Sequence, residues 1–280
     1  MAKSGSLSIN SENIFPIIKK WLYSDHDIFY RELVSNGCDA ITKLKKLALM
    51  GEYEEPEGVS YKVDVVVDPK EKTIRITDNG LGMTEEEVEE YINQIAFSGA
   101  QDFLNKYKDK ANEDQIIGHF GLGFYSAFMV ADKVTIDTLS YKKDAKPVHW
   151  ESEGGTEYEM TEGTRTERGT TITLHIAEDS KEFLEEYTVR QILDKYCSFL
   201  PVEIYLTIAG KEEPKPEDGK EPEAPKPIND VHPLWMKAPK DCTEEEYKDF
   251  YRKVFMDFNE PLFWIHLNVD FPFNLKGILY

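Results

Sequence analysis

VTIDTLSYKKDAKPVHWESEGGTEYEMTEGTRTERGTTITLHI, residues 134–176, contains four short runs (VTIDTLSY, VHWESE, TEYEMT and GTTITLHI) in which β-branched and aromatic residues are interleaved with polar ones. A period of two marks strands with one buried face, and runs divided only by Gly and charged turns pair antiparallel. The fold expected is therefore α+β, a mixed but mostly antiparallel sheet covered by helices, and not a doubly wound parallel sheet.

The pattern extends in both directions. Upstream, Tyr61, Val63, Val65 and Val67 share one face. After a turn at Asp68 and Pro69, Ile74 and Ile76 share another, which reads as a hairpin. Helices are expected at Ile14 to Leu22, at Asp27 to Met50, and from Thr84, where Thr84 and Glu87 fit a capping box ahead of Val88, Tyr91, Ile92 and Ile95. Downstream, helical spacing returns over Phe183 to Phe199, and a strand is expected near Glu203 to Ile208.

KEEPKPEDGKEPEAPKP, residues 211–227, cannot form a core. This divides the chain into residues 1–210, a Pro/Glu/Lys-rich linker at 211–230, and a second α/β segment at 231–280. That last segment holds another capping box, Thr243 with Glu246, and strand-like alternation from Leu262 to Tyr280. The chain stops inside the apolar run FNLKGILY, from which a parent protein that continues is expected.

The 280 residues are 40% hydrophobic and 31% charged, with no secretory leader pattern and no apolar run of membrane-spanning length, so neither a membrane partner nor export is expected and the cytoplasm is the expected location. Cys38, Cys197 and Cys242 are scattered and form no CxxC pair, which argues against a disulfide framework or zinc site. A net charge of −20 disfavours nucleic acid as a partner, since phosphate backbones are repelled. It leaves small phosphate-bearing ligands open, because local N–H groups and metal ions recognise these.

Three segments could carry chemistry. In RELVSNGCDAITK (31–43), Glu32, Asn36, Asp39 and Lys43 recur at i, i+4, i+7 and i+11, a narrow polar stripe opposite Leu33, Ile41 and Leu44. It is either a solvated helix face or a binding face. In IRITDNGLGMT (74–84), Asp78 follows Ile74 and Ile76 at even spacing, so its carboxylate shares their inward face, with Gly80 and Gly82 permitting close approach beyond it. An Asp-Asn-Gly hairpin turn is the plainer reading of the same letters. In IIGHFGLGFYSAF (116–128), Gly118, Gly121 and Gly123 run into a helix-like stretch that could offer amide groups to phosphates, though neither common phosphate-loop pattern fits and a flexible turn would read the same way.

Together, in this order and spacing, these segments resemble the nucleotide-binding signature shared by gyrase, heat-shock protein 90, sensor histidine kinases and MutL. RELVSNGCDA, TDNGLGMT, GHFGLGFYSAF and RGTTITLHI look like the N-terminal domain of the heat-shock protein 90 family, and KPINDVHPLW with EEEYKDFYRKVF looks like the opening of its middle domain. The resemblance implies an ATP hydrolase binding ATP or ADP with Mg2+, in a molecular chaperone that works as a homodimer on client proteins. Asp78 would accept a hydrogen bond from the adenine amino group, with Gly82, Met83, Ile92 and Thr170 around the base. Asn36 would hold the magnesium, Asp39 and Lys43 would meet the ligand or its water, and Glu32 would be the general base. Gly118, His119, Phe120, Gly121, Leu122, Gly123 and Phe124 would wrap the phosphates.

Two stretches depart from the family pattern: Phe97 replaces a lysine in the run Asn93 to Gly99, and Tyr91 an asparagine, while His119 stands where glutamine is common. The resemblance places an arginine needed for full hydrolysis in the middle domain, so binding without efficient turnover is expected of these residues alone. Two rival classes share the signature. A phosphoryl-transferring kinase would not need a water-activating base at Glu32, and DNA-handling ATPases sit poorly with the charge; an ATP-gated binding module without hydrolysis is the third reading.

Overall fold

Alternating valines and isoleucines build the sheet. The computed structural model describes residues 24–94, 116–118, 121–211, 225–269 and 275–280. Within it β1 (Lys62–Asp68) buries Val63, Val65 and Val67, and β2 (Thr73–Asp78) buries Ile74, Ile76 and Asp78 on the same face. The sequence then forms α2 (Glu85–Tyr91), β3 (Ala131–Leu139), β4 (Val148–Ser152), β5 (Glu159–Glu162) and β6 (Gly169–Ile176). The long helix between Asp27 and Met50, α1, spans Ile28–Leu49. After β6 come α3 (Glu186–Cys197) and β7 (Glu203–Ile208), and the sheet order is β5-β4-β3-β6-β2-β1-β7. Every neighbouring pair is antiparallel except β1 with β7, which is parallel. The α+β sheet expected from residues 134–176 is the one observed.

The apolar face of α1 lies on this sheet. Leu33, Ile41 and Leu44 are fully buried, and Phe29 meets Phe183 edge-on at 5.3 Å while the Tyr30 hydroxyl donates to the Phe183 carbonyl at 3.0 Å. Thr84 caps α2 as its sequence implied, accepting from the Glu87 N–H at 3.3 Å while Glu87 accepts from the Thr84 N–H at 2.8 Å.

Two elements differ from expectation. The run beginning at Gly123 forms a 3-10 turn, Gly123–Met129, because only seven residues separate the glycines from β3 and Ser126 returns its hydroxyl to the Gly123 carbonyl at 2.6 Å. The helix expected from Phe183 is broken: a 3-10 stretch, Glu178–Leu184, is followed by an extended Glu185 and then α3. The expected helix at Ile14 to Leu22 lies outside the described residues.

The chain divides into two compact units between Asn229 and Asp230. The end of the Pro/Glu/Lys-rich segment belongs with the first: the Ile228 N–H donates to the Ile204 carbonyl at 2.8 Å, and the Asn229 side chain accepts from the Ile204 N–H and donates to Leu200 and Val202. The second unit holds α4 (Glu244–Phe255), with the Thr243 and Glu246 capping box in place, and a hairpin of β8 (Ile265–Val269) and β9 (Leu275–Leu279). Among the described residues no helix is long and apolar enough to cross a membrane.

The turn after β2 lies against the backbone of α1. A methyl group on Gly80 would fall 2.6 Å from the Ala40 carbonyl carbon and 2.7 Å from the Ile41 nitrogen. Neither atom can yield without moving the helix. Gly80→Ala should therefore cost about 1–3 kcal/mol of stability, measured as a fall in the denaturant midpoint; a midpoint equal to the parent's would show that the turn has room to spare.

Candidate functional site

The polar stripe of α1 does not face open water. Asp39 is buried, and its two carboxylate oxygens accept from the Ile117 N–H at 2.9 Å and the Gly118 N–H at 2.8 Å. A methyl group on Gly118 would lie 3.3 Å from Asp39 Oδ2 and 3.4 Å from Asn36 Oδ1, so the glycine segment crosses directly over both side chains. One turn earlier, Glu32 Oε2 occupies the space beside Gly123, 2.6 Å from where a Cβ would sit. The glycines at 118 and 123 are thus what allow the segment to touch the stripe. Lys43 is half-buried one turn beyond Asp39.

Gly37, within α1, closes the gap on the sheet side. A methyl there would lie 3.2 Å from both Asp78 Cβ and Val63 Cγ2, so the helix approaches the end of β2 as closely as it does because that residue has no side chain. A helix-interior glycine costs about 1 kcal/mol relative to alanine, a cost this contact explains.

Asp78 sits 8% exposed at the end of β2, opposite Thr170 in the β2–β6 register. Its Oδ1 accepts from the Gly80 N–H at 2.8 Å. Burial pushes its carboxyl from the ordinary 3.8 up to about 6, opposed by the Gly80 N–H, Arg165, Thr170 and Arg168. Beside it, Thr170 and Thr138 share a hydrogen bond of 2.9 Å, Thr138 donates to the Gly169 carbonyl, and the Met83 N–H donates to Thr138 at 2.9 Å. Gly82 takes a positive φ of 61° and packs where any Cβ would strike the Leu139 carbonyl. Asp78, Gly82, Met83 and Thr170 are thereby gathered into one cluster.

Thr138 completes that cluster and was not among the residues read from the sequence. Its signal was present: it follows Val134 and Ile136 at even spacing on the inward face of β3, a polar residue on an apolar row. Two expected members behave differently. The Ile92 side chain is buried with its carbonyl accepting from the Tyr125 hydroxyl, and Phe124 is buried among Tyr125, Phe128 and Trp150. What Phe124 can offer a ligand is its backbone. Gly121, with φ of 63°, and Leu122 are half-buried; His119 and Phe120 lie outside the described residues, as do Ile95 to Gly99 with Phe97.

A buried carboxylate thus lies beneath a helix whose polar stripe is crossed by a glycine segment. Residues 30–182 match the family model described as histidine kinase-, DNA gyrase B-, and HSP90-like ATPase. The chain belongs to that family. Residues 211–280 match a second model, described as Hsp90 protein. It is 52% identical over 282 residues to the chaperone protein HtpG of Porphyromonas gingivalis, covering 100% of this chain and 40% of that protein. It is 54% identical over 280 residues to HtpG of Bacteroides thetaiotaomicron, 99% of this chain and 40% of that protein. Against HtpG of Escherichia coli the identity is 42% over 264 residues, 92% of this chain and 41% of the other. The chain therefore spans about two fifths of the length of these HSP90-type relatives.

For this ATPase-family site, the buried acid has a cost that pH reveals. The folded-state value near 6 lies above the unfolded 3.8, so stability associated with Asp78 is fully present below 3.8 and is lost as pH rises through 6. The loss amounts to about 3 kcal/mol. Asp78→Asn keeps an acceptor for the Gly80 N–H and removes the charge. Its stability relative to the parent should climb between pH 4 and pH 7, read by chemical unfolding at a series of pH values; a difference that stays constant with pH would mean the carboxylate is not desolvated.

Proposed function

We propose that this chain binds ATP and ADP together with magnesium and hydrolyses ATP, as the nucleotide-binding part of a chaperone of the HtpG kind. What supports the reading is the buried Asp78 carboxylate, an acceptor beside the cluster of Thr138, Thr170, Gly82 and Met83. An adenine amino group would add a donor to this desolvated carboxylate beyond the backbone N–H groups it already has, and a base without that donor would forgo the added hydrogen bond, which is how one residue gives discrimination.

The phosphate end is consistent with a single protein ligand to the metal. Among the described residues no group of three or more His, Cys, Asp or Glu side chains could hold a metal ion. Magnesium would take the Asn36 Oδ1 oxygen and complete its shell from phosphate and water, the usual habit of that ion, and when bound it would neutralise charge on the phosphates. Gly118 and Gly121 to Gly123, passing over Asn36 and Glu32, would give the phosphates close backbone approach.

Glu32 is the general base in this reading. Its carboxylate takes a proton from a water molecule, the water oxygen bonds to the γ-phosphorus, and the bond to the bridging oxygen breaks to release ADP. Asp39 takes a different part from the one first expected of it: with both oxygens engaged by Ile117 and Gly118, it holds the glycine segment in place. Chaperone work extends the reading from the names of the relatives, and client proteins, a homodimer and the cytoplasm extend it from the sequence resemblance.

Calorimetry with ADP and ATP in magnesium tests the proposal. Glu32→Ala should bind nucleotide within a fewfold of the parent and lose turnover by about 100-fold or more, the usual range for a general base. Asp78→Asn should lose adenine-nucleotide binding while remaining folded. Undiminished affinity in Asp78→Asn, or undiminished turnover in Glu32→Ala, would remove the respective assignment.

A further inference from the structure

Two guanidinium groups from the connection between β5 and β6 converge on the backbone that presents Asp78. Arg165 reaches the Asp78 carbonyl at 3.4 Å with Nη2, while its Nη1 donates to Thr171 Oγ1 at 2.6 Å and its Nε to the Glu167 carbonyl at 2.8 Å. Arg168 donates from Nη1 to the carbonyls of Asn79 and of Gly80, the latter at 3.4 Å. Three consecutive carbonyls, 78 to 80, therefore receive charged donors. Arg168 is itself held over the rings of Tyr53, at 5.6 Å, and Tyr61, at 5.4 Å, and its Nε donates to the Tyr53 hydroxyl at 2.9 Å. Asn79 is fixed from the other side, accepting from the Lys62 N–H and donating to the Ser60 carbonyl.

We propose that Arg165 and Arg168 are positioning residues for base recognition, holding the Asp78 to Gly80 turn so that the carboxylate and the Gly80 N–H keep their places beside Thr138 and Thr170. The proposal rests on the nucleotide reading above. Two effects follow from the same pair. Charged donors to carbonyls are stronger than neutral ones and fix where the Gly80 N–H points, and that N–H is the donor on the Asp78 carboxylate. The positive charge also works against desolvation, which favours the protonated carboxyl over the pure acceptor.

The groups facing Asp78 can be named element by element. From α1 there is Cys38, whose thiol burial pushes well above its usual range, so it stays neutral. From β6 there is Thr170, from the turn itself the Gly80 N–H, and from the β5–β6 connection the two arginines. Asp137 on β3 bears on Arg165 and competes for part of its charge. The arginines are thus the cations acting on Asp78 among the described residues.

The test separates charge from shape. Arg165→Gln and Arg168→Gln remove charge, and Arg168→Lys keeps charge but loses the planar fork that serves two carbonyls and stacks on tyrosine. The Asp78 carboxyl is followed by carbon NMR titration in nucleotide-free protein, and ADP with magnesium is followed by calorimetry from pH 5.5 to 8.5. The glutamine variants should move the titration upward by about one pH unit and weaken ADP near pH 7 by about tenfold. Arg168→Lys should leave the titration where it is and still weaken ADP. Since the two arginines are separate, folding failure in one variant leaves the other to report, and thermal unfolding monitors both. Titration unchanged in the glutamine variants overturns the proposal alone. No binding of ADP by the parent protein overturns the nucleotide reading, and the proposal with it.

Discussion

The structure is organised around one costly constraint, a carboxylate at the end of a central strand that burial makes reluctant to ionise. β2 runs between β1 and β6, so a residue on its inward face is covered by sheet on both sides and by α1 above. Nothing about strand formation requires an acid there; leucine would fill the position without a charge to solvate. The surrounding residues are arranged to tolerate it. Gly37 thins the helix at the point of contact, the Gly80 N–H turns back onto the carboxylate, and Thr138 and Thr170 line the adjacent wall with hydroxyls rather than methyls alone.

The same logic explains why α1 carries polar residues on a face that touches protein. Asp39 is satisfied by two amide donors from a segment nearly eighty residues away in sequence, which ties the helix to the glycine segment without apolar contact. A helix of this length could have been anchored entirely by Phe29, Tyr30, Leu33, Ile41 and Leu44 on its other side. The stripe therefore contributes little that the core does not already supply, and its cost in desolvated polar groups is intelligible only if the space it borders is used.

Much of this was legible in the sequence wherever the signal is local. Alternation marks β1 through β6, the two capping boxes mark their helices, and even spacing from Ile74 and Ile76 aims Asp78 inward. What was hidden depends on distant partners. The parallel pairing of β7 with β1, the anchoring of Asn229 to β7, and the convergence of Arg165 and Arg168 on one turn depend on which distant segments meet, which local periodicity does not encode. The 3-10 turn at Gly123–Met129 was missed because GFYSAFM has helical spacing but lacks the length to complete a stable α-helix before β3 begins.

The two ends of the site are held by different means, and this bears on how they can work. At the Asp78 end, Asp78, Thr138, Thr170 and Gly82 belong to strands or to turns fastened to them, so their positions are fixed by ladder hydrogen bonds. At the other end, Gly118 is fixed to α1 through the Asp39 side chain, and Gly123 lies against Glu32 through a contact that exists only because it lacks a Cβ. A rigid floor recognises shape and donor pattern, because its acceptors are pre-positioned and no ordering is required on binding. An attachment through the Asp39 carboxylate can exchange its amide donors for others with little effect on the sheet. Under the nucleotide reading proposed above, recognition of the base and handling of the phosphates would be separable functions of one helix, the first set by how closely Gly37 lets it approach the sheet, the second by which carboxylates it turns toward the glycines.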